Sequence, residues 1–217
     1  MKTKNRLAAI ALMVAAFVGV SQSASANAIY SLNVDSGGVS GTYGTVTLDN
    51  TTTAGSVLVD VLLAAGYTFA VTGSKYPFAY SLSNNASATN MVFTDTSPLS
   101  TTPGTLVSTA GTLTQTPFGE FTDAITLNAN GTTIYNKLDF TLAGTTLQNF
   151  ILSTATNNGQ QGGYLLSADV SIRGNTFTVA TSDQTIPSTG RVPEPATIAL
   201  LGLGLLGFAV SRRRQPT

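Results

Sequence analysis

Glu120 and Asp123 are the closest acidic pair in the central part of the chain, and paired carboxyls are what glycoside hydrolysis uses, one on each side of the scissile bond. On a strand, a spacing of three sends the two side chains to opposite faces. They therefore read as solvated strand acids, and no catalytic residue is assigned. Ser74-Lys75 has the composition of a Ser-Lys dyad, but neighbouring strand residues diverge. The chain contains no His and no Cys, so Ser-His-Asp and Cys-His nucleophiles and His- or Cys-ligated zinc are excluded. Calcium needs only oxygen ligands. Asp35-Ser36-Gly37-Gly38 and Asp49-Asn50-Thr51 are oxygen-rich, yet neither has the spacing of a calcium loop. Asp and Asn also make turns by bonding their own backbone, so no metal and no cofactor is expected. Tyr30, Tyr43, Tyr67, Tyr76, Tyr80, Tyr135 and Tyr164 could serve as platforms for sugar rings. Thr45/Thr47, Thr112/Thr114 and Thr176/Thr178 could align hydroxyls on strand faces, as ice-binding surfaces do, but the pairs are not periodic.

The elements that must hold these residues read as strands. Val57, Val59, Val61 and Leu63 alternate with Leu58, Asp60 and Leu62, which gives one strongly apolar face. Ile134, Leu138, Phe140 and Leu142 share a parity and follow Asn130-Gly131, a hairpin dipeptide. Leu166, Ala168, Val170 and Ile172, then Arg173-Gly174-Asn175, then Phe177 and Val179 form the clearest hairpin. Further turn signals stand at Gly37-Gly38, Gly73, Asn84-Asn85, Pro103-Gly104 and Gly162-Gly163. Ten to twelve short strands predict an all-β domain over residues 29–180, an antiparallel β-sandwich or jelly roll.

Charges make up 9 % of the 217 residues, against roughly 25 % in ordinary soluble proteins. They are segregated. Between Ile29 and Gly190 the cations are Lys75, Lys137 and Arg173. The anions are Asp35, Asp49, Asp60, Asp95, Glu120, Asp123, Asp139, Asp169 and Asp183, so this part carries a net charge of −6. That argues against nucleic acid, which demands clustered cations.

The two ends are of another kind. Lys2, Lys4 and Arg6 precede the apolar run Leu7 to Val20, and Ala24-Ser25-Ala26 and Ala26-Asn27-Ala28 offer small residues for cleavage. Residues 1–28 thus have the layout of a secretory signal peptide, with an N-terminal signal helix, and predict a new N-terminus at Asn27 or Ile29 after signal peptidase. Residues 181–191 are polar and read as a linker. Val192-Pro193-Glu194-Pro195 then leads into the uncharged run Ala196 to Val210, closed by Arg212, Arg213 and Arg214. A transmembrane helix over 196–211 would be short, about 1.5 Å per residue against a hydrocarbon core of about 30 Å. Snorkelling arginines and local thinning make up the difference. The basic cluster stays cytoplasmic as a membrane stop, which places the Pro-Glu-Pro outside, where the signal peptide also sends the domain.

The ordered triple at 192–217 resembles the PEP-CTERM sorting signal of Gram-negative bacteria. The resemblance implies an exosortase substrate: a membrane-embedded, thiol transpeptidase-like protease recognises Val192, Pro193, Glu194 and Pro195 and cuts nearby. It implies transient anchoring in the inner membrane and then the cell surface or extracellular matrix. It also implies association with exopolysaccharide or biofilm. The label ice-binding protein C-terminal domain, sometimes given to such tails, describes the tail and not an activity. The expected function is a non-enzymatic exported surface or matrix protein. The alternative is a lectin-like carbohydrate-binding sandwich, with ice binding or an enzyme behind it.

Overall fold

The computed structural model describes residues 27–50, 55–70, 76–94, 105–128, 135–156 and 160–185. Residues 1–26 of the expected signal peptide, Gly73, Ser74-Lys75, Asp95, Pro103-Gly104, Asn130-Gly131, and the sorting motif with its apolar run lie outside them, whereas Asn27 and Ala28, expected as the end of the signal peptide, are described. Among the described residues, no helix is long and apolar enough to cross a membrane.

The described residues form eleven strands: β1 (Asn27–Asp35), β2 (Ser40–Asp49), β3 (Ser56–Leu63), β4 (Thr68–Phe69), β5 (Phe78–Tyr80), β6 (Ala88–Thr94), β7 (Thr105–Gln115), β8 (Gly119–Asn128), β9 (Lys137–Ala143), β10 (Leu166–Ile172) and β11 (Asn175–Thr181). They make one sheet in the order β6-β9-β3-β2-β1-β11-β10-β5-β8-β7, with β4 paired to β10. The fold is all-β and antiparallel, as the alternation predicted. The sheet curls over until its ends approach, giving a nearly closed barrel or sandwich. The two end strands touch where the Ala88 amide donates to Ser108 Oγ at 3.1 Å.

Register converts the sequence alternation into a core. Tyr30, Val46, Val61, Leu138 and Phe93 lie opposite one another across five strands, and Leu48, Val59 and Phe140 form the next row but one. Apolar residues of one parity thus share the inner face, because side chains repeat every two residues along a strand. Ile134 is not among the described residues, but Leu138, Phe140 and Leu142 are buried as expected. The predicted β10–β11 hairpin forms, with Ile172 opposite Asn175. Arg173 and Gly174 both have positive φ, at 50° and 83°, as a type I′ hairpin turn requires.

A hairpin between β8 and β9, suggested by Asn130-Gly131, does not form. β8 pairs with β7 and β5, and β9 with β3 and β6. A turn dipeptide specifies a local reversal, not the partner, and β9 buries its apolar face between β3 and β6.

The sheet is also not polar on its whole outer face. Ala79, Leu113, Phe118, Phe121, Ala124 and Ala180 form a second apolar cluster, with Tyr76 and Tyr164 packed against it. Ala79 alternates with Phe78 and Tyr80 of the main core, so β5 is covered on both faces. The chain around Ser153 closes over the start of β8: Ser153 Oγ donates to the Phe118 carbonyl at 2.8 Å and accepts from the Tyr164 amide at 3.0 Å. Gly162 makes this approach possible, since a Cβ there would stand 2.3 Å from the Ala155 nitrogen.

Candidate functional site

The acidic residues are distributed rather than convergent. Glu120 is half-buried at the start of β8, whereas Asp123 is 1 % exposed, opposite Tyr80 of β5. The Thr122 hydroxyl donates to Asp123 Oδ2. Burial pushes the Asp123 carboxyl above the usual carboxylate range, against the hydrogen bonds from Thr122 and the Leu82 backbone. Burial, then the charge of Asp123, raises the Tyr80 phenol as well. Asp169, also buried, accepts from the Tyr76 amide at 3.0 Å and the Thr178 hydroxyl at 2.6 Å.

On the outer face Asp60 and Asp139 stand directly opposite each other on β3 and β9. Lys137 spans them, its Nζ at 2.8 Å from Asp60 and 3.0 Å from Asp139. Burial lifts the Asp139 carboxyl, and repulsion from Asp60 adds to it, while Lys137 holds it down. The triad relieves a like-charge pair that would otherwise disfavour the ladder. No spacing rule finds it, because Asp60 and Asp139 meet only through the β3–β9 register.

Asp35 makes the turn that its Asp-Ser-Gly-Gly run allowed. Its Oδ1 accepts from the amides of Gly37 and Val39 at 2.9 and 2.8 Å, and its Oδ2 from the Tyr43 hydroxyl at 3.2 Å. Among the described residues, no group of three or more acids is placed to hold a metal ion.

None of the seven tyrosines is fully exposed. Tyr30, Tyr43, Tyr80 and Tyr135 are buried, and Tyr67, Tyr76 and Tyr164 are half-buried. Tyr67 packs edge-on against Tyr43 and Phe177, and Tyr164 against Phe118. The threonine pairs are not equivalent either: Thr112 and Thr114 are exposed, but Thr178 is buried on Asp169 while Thr176 faces solvent.

One arrangement leads towards the tail. Thr181, expected as the first linker residue, is buried in β11, and of the four residues that follow, Ser182 and Thr185 are hydrogen-bonded to β1. Asn33 sits where the β1 register shifts, between Leu32 and Val34, and a bulge of that kind re-aims the side chain it carries. Asn33 Nδ2 donates to Ser182 Oγ at 2.7 Å, and the Ser182 amide donates back to Asn33 Oδ1 at 2.8 Å. The Thr185 amide donates to Asp183 Oδ1 at 2.8 Å, and Tyr30 Oη donates to the Thr185 carbonyl at 2.9 Å. Burial, then the neighbouring Asp183 charge, pushes the Tyr30 phenol up to about 12. The hydrogen bonds from Thr185 hold the Asp183 carboxyl below its ordinary value. These contacts join residues about 150 apart in sequence, so periodicity could not reveal them.

The domain is thus an antiparallel β-barrel or sandwich in which Ser182–Thr185 are held on the first strand, ahead of a short tail. In that tail, residues 191–214 match the PEP-CTERM protein-sorting motif, as the resemblance at 192–217 indicated. The motif implies export, transient handling at the membrane and processing by an exosortase. No curated protein and no solved structure matches the chain.

Burial of Asp123 makes a testable statement about pH. Its raised folded-state pKa means that the folded domain holds this proton more tightly than the unfolded chain. Its contribution to stability is therefore greatest below the unfolded value of about 3.9 and is lost as pH rises to the folded value. Asp123→Asn keeps an acceptor for Thr122 and removes the buried charge. Thermal melting followed by circular dichroism should show the variant above wild type at pH 8 and level with it at pH 3. A variant that melts lower at pH 8 would show that the carboxylate is needed for the fold.

Proposed function

We propose that the mature domain is a non-enzymatic surface or matrix protein, delivered by exosortase processing into an exopolysaccharide or biofilm layer. The observation that carries this reading is the sorting motif at residues 191–214, which addresses the domain and says nothing of a reaction. The use of the acids supports it. Asp35 closes a turn, Asp60 and Asp139 share Lys137, and Asp169 ties Tyr76 to Thr178. A lectin-like module is the second reading, weakened by the absence of a fully exposed tyrosine among the seven.

The net charge of −6 over residues 29–190 repels an acidic polymer unless a divalent cation bridges the two. Affinity, where present, is therefore expected for neutral glycans, or for acidic ones only with calcium. Calorimetry of the processed protein against neutral and acidic bacterial polysaccharides, with and without calcium, tests this. Tight calcium-free binding to an acidic polymer would overturn the electrostatic argument. Mass spectrometry of the native surface form tests the delivery: it should begin at Asn27 or Ile29 and end near the motif. A surface form that retains residues 1–20 or an intact tail would contradict it.

A further inference from the structure

Asn33 and Tyr30 hold Ser182 and Thr185 by three hydrogen bonds of 2.9 Å or less, and a turn bond from the Thr185 amide to Asp183 Oδ1 lies within the segment. Two of these clamp a single residue: Asn33 gives a donor to the Ser182 hydroxyl and an acceptor to its amide. Gln184 lies against Gly163, where an added Cβ would come within 3.4 Å of its Nε2. The segment is therefore held at both ends. The chain between it and the sorting motif is short. Only the six residues 186–191 separate Thr185 from Val192, and six residues reach about 20 Å at full extension. The headgroup zone alone takes about 5–7 Å of that on the outer side.

We infer that Asn33 and Tyr30 are positioning residues for tail processing: by docking Ser182–Thr185 on β1 they set the reach between the folded domain and the sorting motif. The inference rests on the reading of the tail as an exosortase substrate. Two tethered partners meet only when the linker spans the gap between them, and their effective concentration falls to near zero when it does not. With the segment docked, the reach is that of six residues. Released, it gains four more, about 14 Å. Neither side chain has to touch the motif or the protease. Each acts only through the length of chain left free.

The test is a deletion and its rescue, read in the native host as the fraction of chain processed over time on immunoblots. Deleting residues 187–190 from the full chain should slow processing by at least about ten-fold, because the remaining linker no longer spans the gap. Adding Asn33→Ala and Tyr30→Phe to the deletion frees residues 182–185 and should restore processing to within about two-fold of wild type. Inserting four Gly/Ser residues at the deletion point should restore it equally. Val59→Ala removes packing from a fully buried position without touching the tether, and in the deletion background it must leave processing blocked. Rescue by Val59→Ala would mean that loosening the domain in general is enough, and would overturn the assignment to Asn33 and Tyr30. A deletion processed at the wild-type rate would overturn it too, as would a double substitution that fails to rescue where the Gly/Ser insertion succeeds. If the insertion fails as well, residues 187–190 are being recognised rather than spanned, and the inference also falls. A wild-type chain that is never processed would instead remove the exosortase reading itself, so the two failures are distinguishable.

Discussion

Glu194→Ala is expected to leave the full-length chain uncut and held in the membrane fraction, with little or none released. The motif match over residues 191–214 includes this residue. It is the only charged side chain between Arg191 and Arg212, so it is the one strong electrostatic handle in an otherwise neutral run. Pro195→Ala should have the same effect, because it removes a residue of the matched motif whose ring fixes φ. The arginines at 212–214 act differently. Their expected role is that of a cationic membrane stop, which Lys fills as well as Arg, so a single Arg→Lys there should leave processing unchanged. Immunoblots of membrane and released fractions decide the matter. A Glu194→Ala chain processed like wild type would remove the assigned role of the motif.

Phe140→Ala should cause the largest loss of stability among single core changes. The ring is 1 % exposed and lies on the inner face of β9. Its centroid is 5.6 Å from that of Tyr80 and 5.9 Å from that of Phe78, so it joins β9 to β5 across the interior of the curled sheet. Truncating a buried Phe to Ala typically costs about 3–5 kcal/mol, a large share of the roughly 5–15 kcal/mol that holds a domain folded. At about 2–4 °C per kcal/mol for a domain of this size, melting should fall by about 6–20 °C. Leu62→Ala, on the outer face of the neighbouring β3 and 40 % exposed, should stay within about 0.5 kcal/mol of wild type. Parallel melts of the two variants test the inward and outward faces together. Equal losses would show that the assigned faces are wrong.

Much of the architecture is legible because it follows from local pattern. Val57, Val59, Val61 and Leu63 predict their own burial, since a period of two cannot be met any other way in a half-buried strand. Arg173-Gly174 predicts the β10–β11 reversal, because a two-residue turn needs positive φ at both positions. The sorting tail is equally local: its order of motif, apolar run and cations is complete within about 25 residues.

What the chain does not announce is pairing over distance. The amino-acid sequence by itself determined that the domain is all-β, that acids cannot be matched by cations within it, and that its C-terminal end carries a sorting motif. These rest on composition and on near neighbours. Only the tertiary structure decided that β9 lies between β3 and β6 rather than beside β8, because strand partners are chosen by total buried surface and not by the turn that precedes them. It also decided that Asp139 meets Asp60 under Lys137, and that Asp123 is buried beside Tyr80 although its spacing from Glu120 suggested a solvated residue. The docking of Ser182–Thr185 on Tyr30 and Asn33 is the extreme case. It joins the first strand of the domain to the residues after the last, and a contact between the two ends of a folded unit exists only once every strand between them has been placed.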